Sequence, residues 1–191
     1  MKTIRLYLAM FAAALIAVCG GGQGNAAGVR ANVSAGLTGQ YIGSTALGTA
    51  TALFNINQVV AFSEGSAANQ AQYLYTAQPT IAASGSSNID LAGATTDALG
   101  ATLTCTTVKF IYVKAAAANT NNVLVGGAGS NTFINWVGDA TDIVVVKPGG
   151  FLLLVAPGTG YAVTAATGDL LKLANSSSGT GVTADVAIGC I

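Results

Sequence analysis

The chain has 191 residues, of which 52% are hydrophobic and only 7% charged, with seven basic groups balancing seven acidic ones and no histidine. General acid–base catalysis needs a group that titrates near the working pH, and without histidine only six aspartates and Glu64 remain to supply it. The balance also lacks the basic excess that gathers phosphate backbones, so the sequence points to a non-enzymatic protein with no cofactor and no nucleic-acid partner.

Residues 1–27 form a signal-like leader. Lys2 and Arg5 give a short basic start, Leu6 to Val18 are an unbroken apolar run expected to be helical, and small residues follow. The run would extend roughly 20 Å as a helix, short of the ~30 Å core of a bilayer, so no stable membrane span is expected. Gly24-Asn25-Ala26 offers small residues to an ordinary signal peptidase, while Ile16-Ala17-Val18-Cys19 looks like a lipobox that departs from the pattern at Val18.

From Gly28 onward the apolar runs are short and β-branched and lack sustained helical spacing, which predicts an all-β chain. In residues 28–84, the N-terminal β segment, strands are expected at Val29–Val33, Leu53–Ile56, Val59–Phe62 and Gln72–Thr76, with Gly36, Gly39, Gly43, Gly48 and Gly65 as punctuation. Residues 66–72 fit a short helix or a polar loop equally. The stretch Ala83-Ser84-Gly85-Ser86-Ser87-Asn88 is the expected boundary between this segment and a C-terminal β-sandwich at 85–191. That sandwich is expected to carry strands near 101–114, 122–126, 132–136, 142–147, 150–156, 161–165, 169–174 and 181–190.

In the last strand Val182, Ala184, Val186 and Ile188 share one face, and Thr183 and Asp185 the other, so one side is expected buried and the other wetted. Pro148-Gly149-Gly150 fits a type II turn with Gly at the positive-φ position, closing a tight hairpin. Cys105 and Cys190 are the only cysteines beyond the leader. They read either as a disulfide worth roughly 4 kcal/mol across an 85-residue loop or as two separate buried thiols.

Candidate site residues are few. Gly138-Asp139-Ala140-Thr141-Asp142 places Asp139 and Asp142 in one loop, enough for part of a Ca²⁺ shell but matching no EF-hand, so Asx turns are expected and no metal. Trp136, beside that loop, is the candidate contact residue among the aromatics Tyr41, Tyr73, Tyr75, Phe133 and Tyr161. Gly126-Gly127-Ala128-Gly129-Ser130-Asn131 lacks the lysine of a phosphate loop, and there is no G-x-S-x-G.

Three segments carry a resemblance: Thr80–Gly85 with Asp90-Leu91-Ala92-Gly93; Val108–Lys114 with Asn119–Asn122; and Pro148-Gly149-Gly150 with Gly168–Asn175. In them the chain resembles a group of virion structural proteins of tailed bacteriophages. The resemblance implies a jelly-roll-like β-sandwich that decorates a capsid or forms part of a tail or fibre, as a homo-oligomer or with other virion proteins. The leader and the cysteine pair favour an alternative, a secreted, periplasmic or cell-surface adhesin or carbohydrate-binding module with a glycan partner.

Overall fold

The computed structural model describes residues 28–191; the expected leader, its helix, its cleavage sites and Cys19 lie outside them. The described residues are all β, in antiparallel sheets apart from one two-residue parallel pairing. They form two compact units: residues 30–62 are one, and 63–191, together with Gly28 and Val29, the other.

The first unit is a single long hairpin. β1 (Ala31–Thr45) and β2 (Gly48–Glu64) pair without interruption from Ala31↔Phe62 to Thr45↔Gly48. Alternate residues point to opposite faces and cross-strand partners share a face. One face therefore carries Val33, Leu37 and Tyr41 with Val60, Ile56 and Phe54, whereas Thr38 with Asn55, and Gly36 with Asn57, lie on the other. Three of the short strands expected in residues 28–84 fall within these two long ones, because Gly36, Gly39 and Gly43 sit inside β1 and only Gly48, with φ +136°, borders the turn; the fourth, Gln72–Thr76, corresponds to a strand of the second unit. Phe54 supplies what Gly39 lacks: its ring occupies the space where a Gly39 side chain would lie, 2.4 Å from the position of a Cβ.

In the second unit, residues 66–72 hold turns and β3 (Gln70–Ala71), which pairs parallel with Ser63 and Glu64; the helical option is not realised. The sandwich is built from two sheets. One contains β4 (Tyr73–Ala77), β7 (Thr107–Ala115), β10 (Phe151–Val155) and β13 (Val182–Cys190) in the order β10-β7-β13-β4, with β5 (Thr80–Ile81) on β13 and β11 (Tyr161–Ala162) on β7. The other runs β6 (Ser86–Asp90), β12 (Leu170–Asn175), β8 (Val123–Gly126), β9 (Ile143–Val146). Between β5 and β13 the chain changes sheet at every connection except β8–β9 and β10–β11.

The core lies between the sheets, where Ile111, Val113, Val186 and Ile188 meet Ile89, Val123, Leu171 and Leu173. β13 buries Val182, Ala184, Val186, Ile188 and Cys190, as its alternation implied, with Thr183 and Asp185 half-buried. Its other face is also covered at Ala187 and Gly189, because β13 is central and the Phe110 ring lies over Gly189.

Two expected features of the sandwich take a different form. Residues 101–106 and 134–136 are loop and turn rather than strand. At Pro148-Gly149-Gly150 the turn itself forms, with Gly149 at φ +75° and the Gly150 amide donating to the Lys147 carbonyl at 2.8 Å. It does not close a hairpin: β9 pairs with β8 and β10 with β7, so the turn carries the chain from one sheet to the other. The stretch 83–88 leads directly into β6, which pairs along its length with β12 inside the sandwich, and the division between the units falls after Phe62.

Candidate functional site

Every carboxylate of the chain accepts a hydrogen bond that organises backbone or a neighbouring strand. Glu64 takes the Val29 amide at 2.6 Å, and Asp90 the amides of Ala92 and Ala94. Asp97 holds the amides of Leu99 and Ala101, and the buried Asp169 holds that of Ala166. Asp185 accepts from the Gln78 amide group at 2.6 Å and lies 3.9 Å from the Lys114 ammonium.

Asp139 and Asp142 do come together in one loop, each engaged within it. Asp142 Oδ2 accepts the amides of Gly138 and Asp139 at 3.0 and 2.8 Å; Asp139 Oδ1 accepts the Thr141 amide and hydroxyl at 3.0 and 2.9 Å. Those two bonds, the amide first, hold the Asp139 carboxyl below the usual carboxylate range. Asp139 thus makes the expected Asx turn, while Asp142 closes the loop by reaching back to its first two amides. Among the described residues no three His, Cys, Asp or Glu side chains converge as metal ligands would.

Trp136 is half-buried against the core, its indole N–H donating to the Phe133 carbonyl at 2.9 Å. Beside this loop an open hollow of about 630 Å³ is lined by Gly127, Asn131, Thr132, Ile134, Thr141 and Thr167 among others. Neither Trp136 nor the two carboxylates lines it. The other aromatics make no common platform: Phe133 is buried, Tyr73, Tyr75 and Tyr161 pack partly against the sandwich core, and Tyr41 belongs to the ribbon.

Two lysines also donate to backbone carbonyls. Lys109 is buried on β7 at a bulge opposite Gly189 and Cys190, and its ammonium donates to the Gly158 carbonyl at 2.6 Å. Lys172 donates to the Gly127 carbonyl at 2.8 Å. Cys105 and Cys190 are joined in a disulfide, Cα–Cα 5.6 Å, both residues buried. It ties the segment before β7 to the end of β13, and so one of the two readings of the cysteine pair is the one realised.

The surface the sequence reading passed over is the β1–β2 ribbon. It leaves Tyr41, Phe54 and Ile56 exposed on one face and Ile42, Leu53 and Val59 on the other, and Leu47 projects from the turn. From Ala31 to Ser63 there is no charged residue and no proline. The alternation of residues 31–45 and 48–62 was the available signal, and reading its glycines as breaks concealed it.

Compared with known protein families, curated proteins and solved structures, the chain matches none.

Proposed function

We propose that this chain is a non-enzymatic structural protein of a virion, a capsid decoration or a tail or fibre component, that works through multimeric β-surface contacts. One observation carries the reading: the carboxylates are engaged in holding turns and strand neighbours, while the most exposed apolar surface is a long ribbon with no charge between Ala31 and Ser63. A protein built this way offers contact area rather than reactive groups, and exposed apolar patches of several hundred Å² mark interaction surfaces. Repeated crossing of the chain between two antiparallel sheets is compatible with a jelly-roll-like sandwich, the architecture that the resemblance to tailed-phage virion proteins implies. Mass spectrometry of gradient-purified particles tests the proposal. Stoichiometric recovery of the chain with the particles is expected; its absence from them overturns the assignment.

The Cys105–Cys190 disulfide favours a second reading, an exported adhesin or carbohydrate-binding module of the cell surface, because such bonds persist chiefly in oxidising compartments. Fractionation separates the two. An oxidised pair and a processed N-terminus in periplasm or medium support export, and binding to a glycan array would then identify the module.

A further inference from the structure

We infer that the loop between β10 and β11, Pro157-Gly158-Thr159-Gly160, is a phosphate-binding site, in which Lys109 supplies the charge and the loop's amides the hydrogen bonds. Phosphate binding here goes beyond the contact-surface function and is independent of it.

Lys109 is a buried cation without a counter-charge. It is only 2% exposed, yet its ammonium, which carries three N–H donors, has a single acceptor, the Gly158 carbonyl at 2.6 Å. None of the chain's seven carboxylates pairs with it: Asp185 lies beside Lys114 in the one ion pair among the described residues, and residues 1–27 contain no Asp or Glu. A buried charge is costly unless it is paired, so a cation in this position calls for an anion from outside the chain.

The loop above it can hold one. Gly158 and Thr159 are exposed and Gly160 half-buried, and the three successive amides donate to no acceptor among the described residues. Gly160, at φ +67°, takes the left-handed conformation that curls successive amides into an anion-binding concavity. At Gly158 a Cβ would meet nothing within 4 Å, so a ligand can approach the backbone closely there. The Lys109 stem runs beneath, its Cδ 3.3 Å from the Cβ position of Gly160. Because the peptide bonds are trans, the Thr159 amide points away from the Gly158 carbonyl that Lys109 holds, and the ammonium polarises that amide towards the outer side of the loop. The loop is also fixed at its start, where the Asn69 amide donates to the Pro157 carbonyl at 2.9 Å and the Ala156 amide to the Lys109 carbonyl at 2.8 Å, so little ordering remains for binding to impose. Three donors in succession above one positive charge match the several oxygens of a phosphate group better than a neutral ligand.

Thermal unfolding of the full chain, followed by the fluorescence of Trp136 in the sandwich, tests the site with inorganic phosphate as the probe against sodium chloride of equal ionic strength. Phosphate at about tenfold its dissociation constant is expected to raise the midpoint by about 5 °C. Lys109→Met is expected to lose that response. Gly158→Asp, which places a carboxylate on the loop where a side chain has room, should lose it as well. Glycerol 3-phosphate run beside the free ion identifies the source: a larger rise assigns the site to a phosphate ester, an equal or smaller one to the ion itself, and either supports it. No rise in the unchanged chain overturns the inference. So does an equal rise in the unchanged chain and in Gly158→Asp, which marks a general effect of the salt on folding.

Discussion

Reducing the Cys105–Cys190 bond should remove a large share of the stability of the sandwich. The bond closes an 85-residue separation, and constraining a loop of that length in the unfolded chain corresponds to about 4.5 kcal/mol. For a body of residues 63–191, with an unfolding entropy near 2.1 cal/mol/K per residue, this lowers the midpoint by about 15 °C. Trp136 is the only tryptophan and packs against the sandwich core, so its fluorescence during urea or thermal unfolding reports this unit alone. Three samples separate the contributions. The oxidised protein sets the reference, the reduced protein keeps both sulfurs in place, and Cys105→Ala with Cys190→Ala also removes buried atoms, costing about 1–2 kcal/mol beyond reduction. A shift on reduction of less than about 1 kcal/mol would refute the reasoning, because the entropy of an 85-residue loop could not then be what the bond contributes.

Gly189→Ala places a Cβ 2.1 Å from the ring of the fully buried Phe110 and should cost about 2–3 kcal/mol in the same assay. Adding Phe110→Leu should return part of it, a non-additive result that a general loss of folding would not give. Gly39→Ala meets Phe54 at 2.4 Å, but that ring is exposed and can swing aside, so a change under about 0.5 kcal/mol is expected. Burial first and the charge of Asp185 second raise the Tyr112 pKa, while burial alone raises that of Tyr75. A raised acid keeps its neutral form in the fold, so its contribution to stability is complete below the unfolded value and lost as pH rises through the folded one. Ultraviolet titration should show Asp185→Asn moving Tyr112 down and leaving Tyr75 in place; equal movement of both would remove Asp185 as the cause.

How far the fold could be read depended on what surrounds each strand. Val182 to Ile188 alternate because one face meets the core, and that alternation located β13 and its buried side from sequence. At Pro148-Gly149-Gly150 the turn was legible because its chemistry is local, but the partners of β9 and β10 were not, since which sheet a strand joins depends on residues far along the chain. The ribbon failed for a related reason. Glycine usually interrupts a strand, yet Gly39 lies inside β1 because Phe54 from β2 fills its place, and nothing near Gly39 in sequence announces that. At the candidate site, the pairing of Asp139 and Asp142 in one loop was readable; that Trp136 would turn its indole N–H to the Phe133 carbonyl was not.

The placement of charge explains why the two units differ in kind. In the sandwich, Asp90, Asp97, Asp139, Asp142 and Asp169 each bind amides in loops, where a carboxylate can satisfy backbone that no strand partner reaches. Those loops thereby acquire both order and solubility. The ribbon has one tight turn, in which the Thr45 hydroxyl donates to the Gly48 carbonyl at 2.8 Å, and so it needs no carboxylate for its loops. Its exposed surface lies along its strands, where a charge would guard a solitary hairpin. With Ala31 to Ser63 uncharged, the ribbon lacks the charges by which solitary strands are commonly guarded, and that is the contrast with the sandwich.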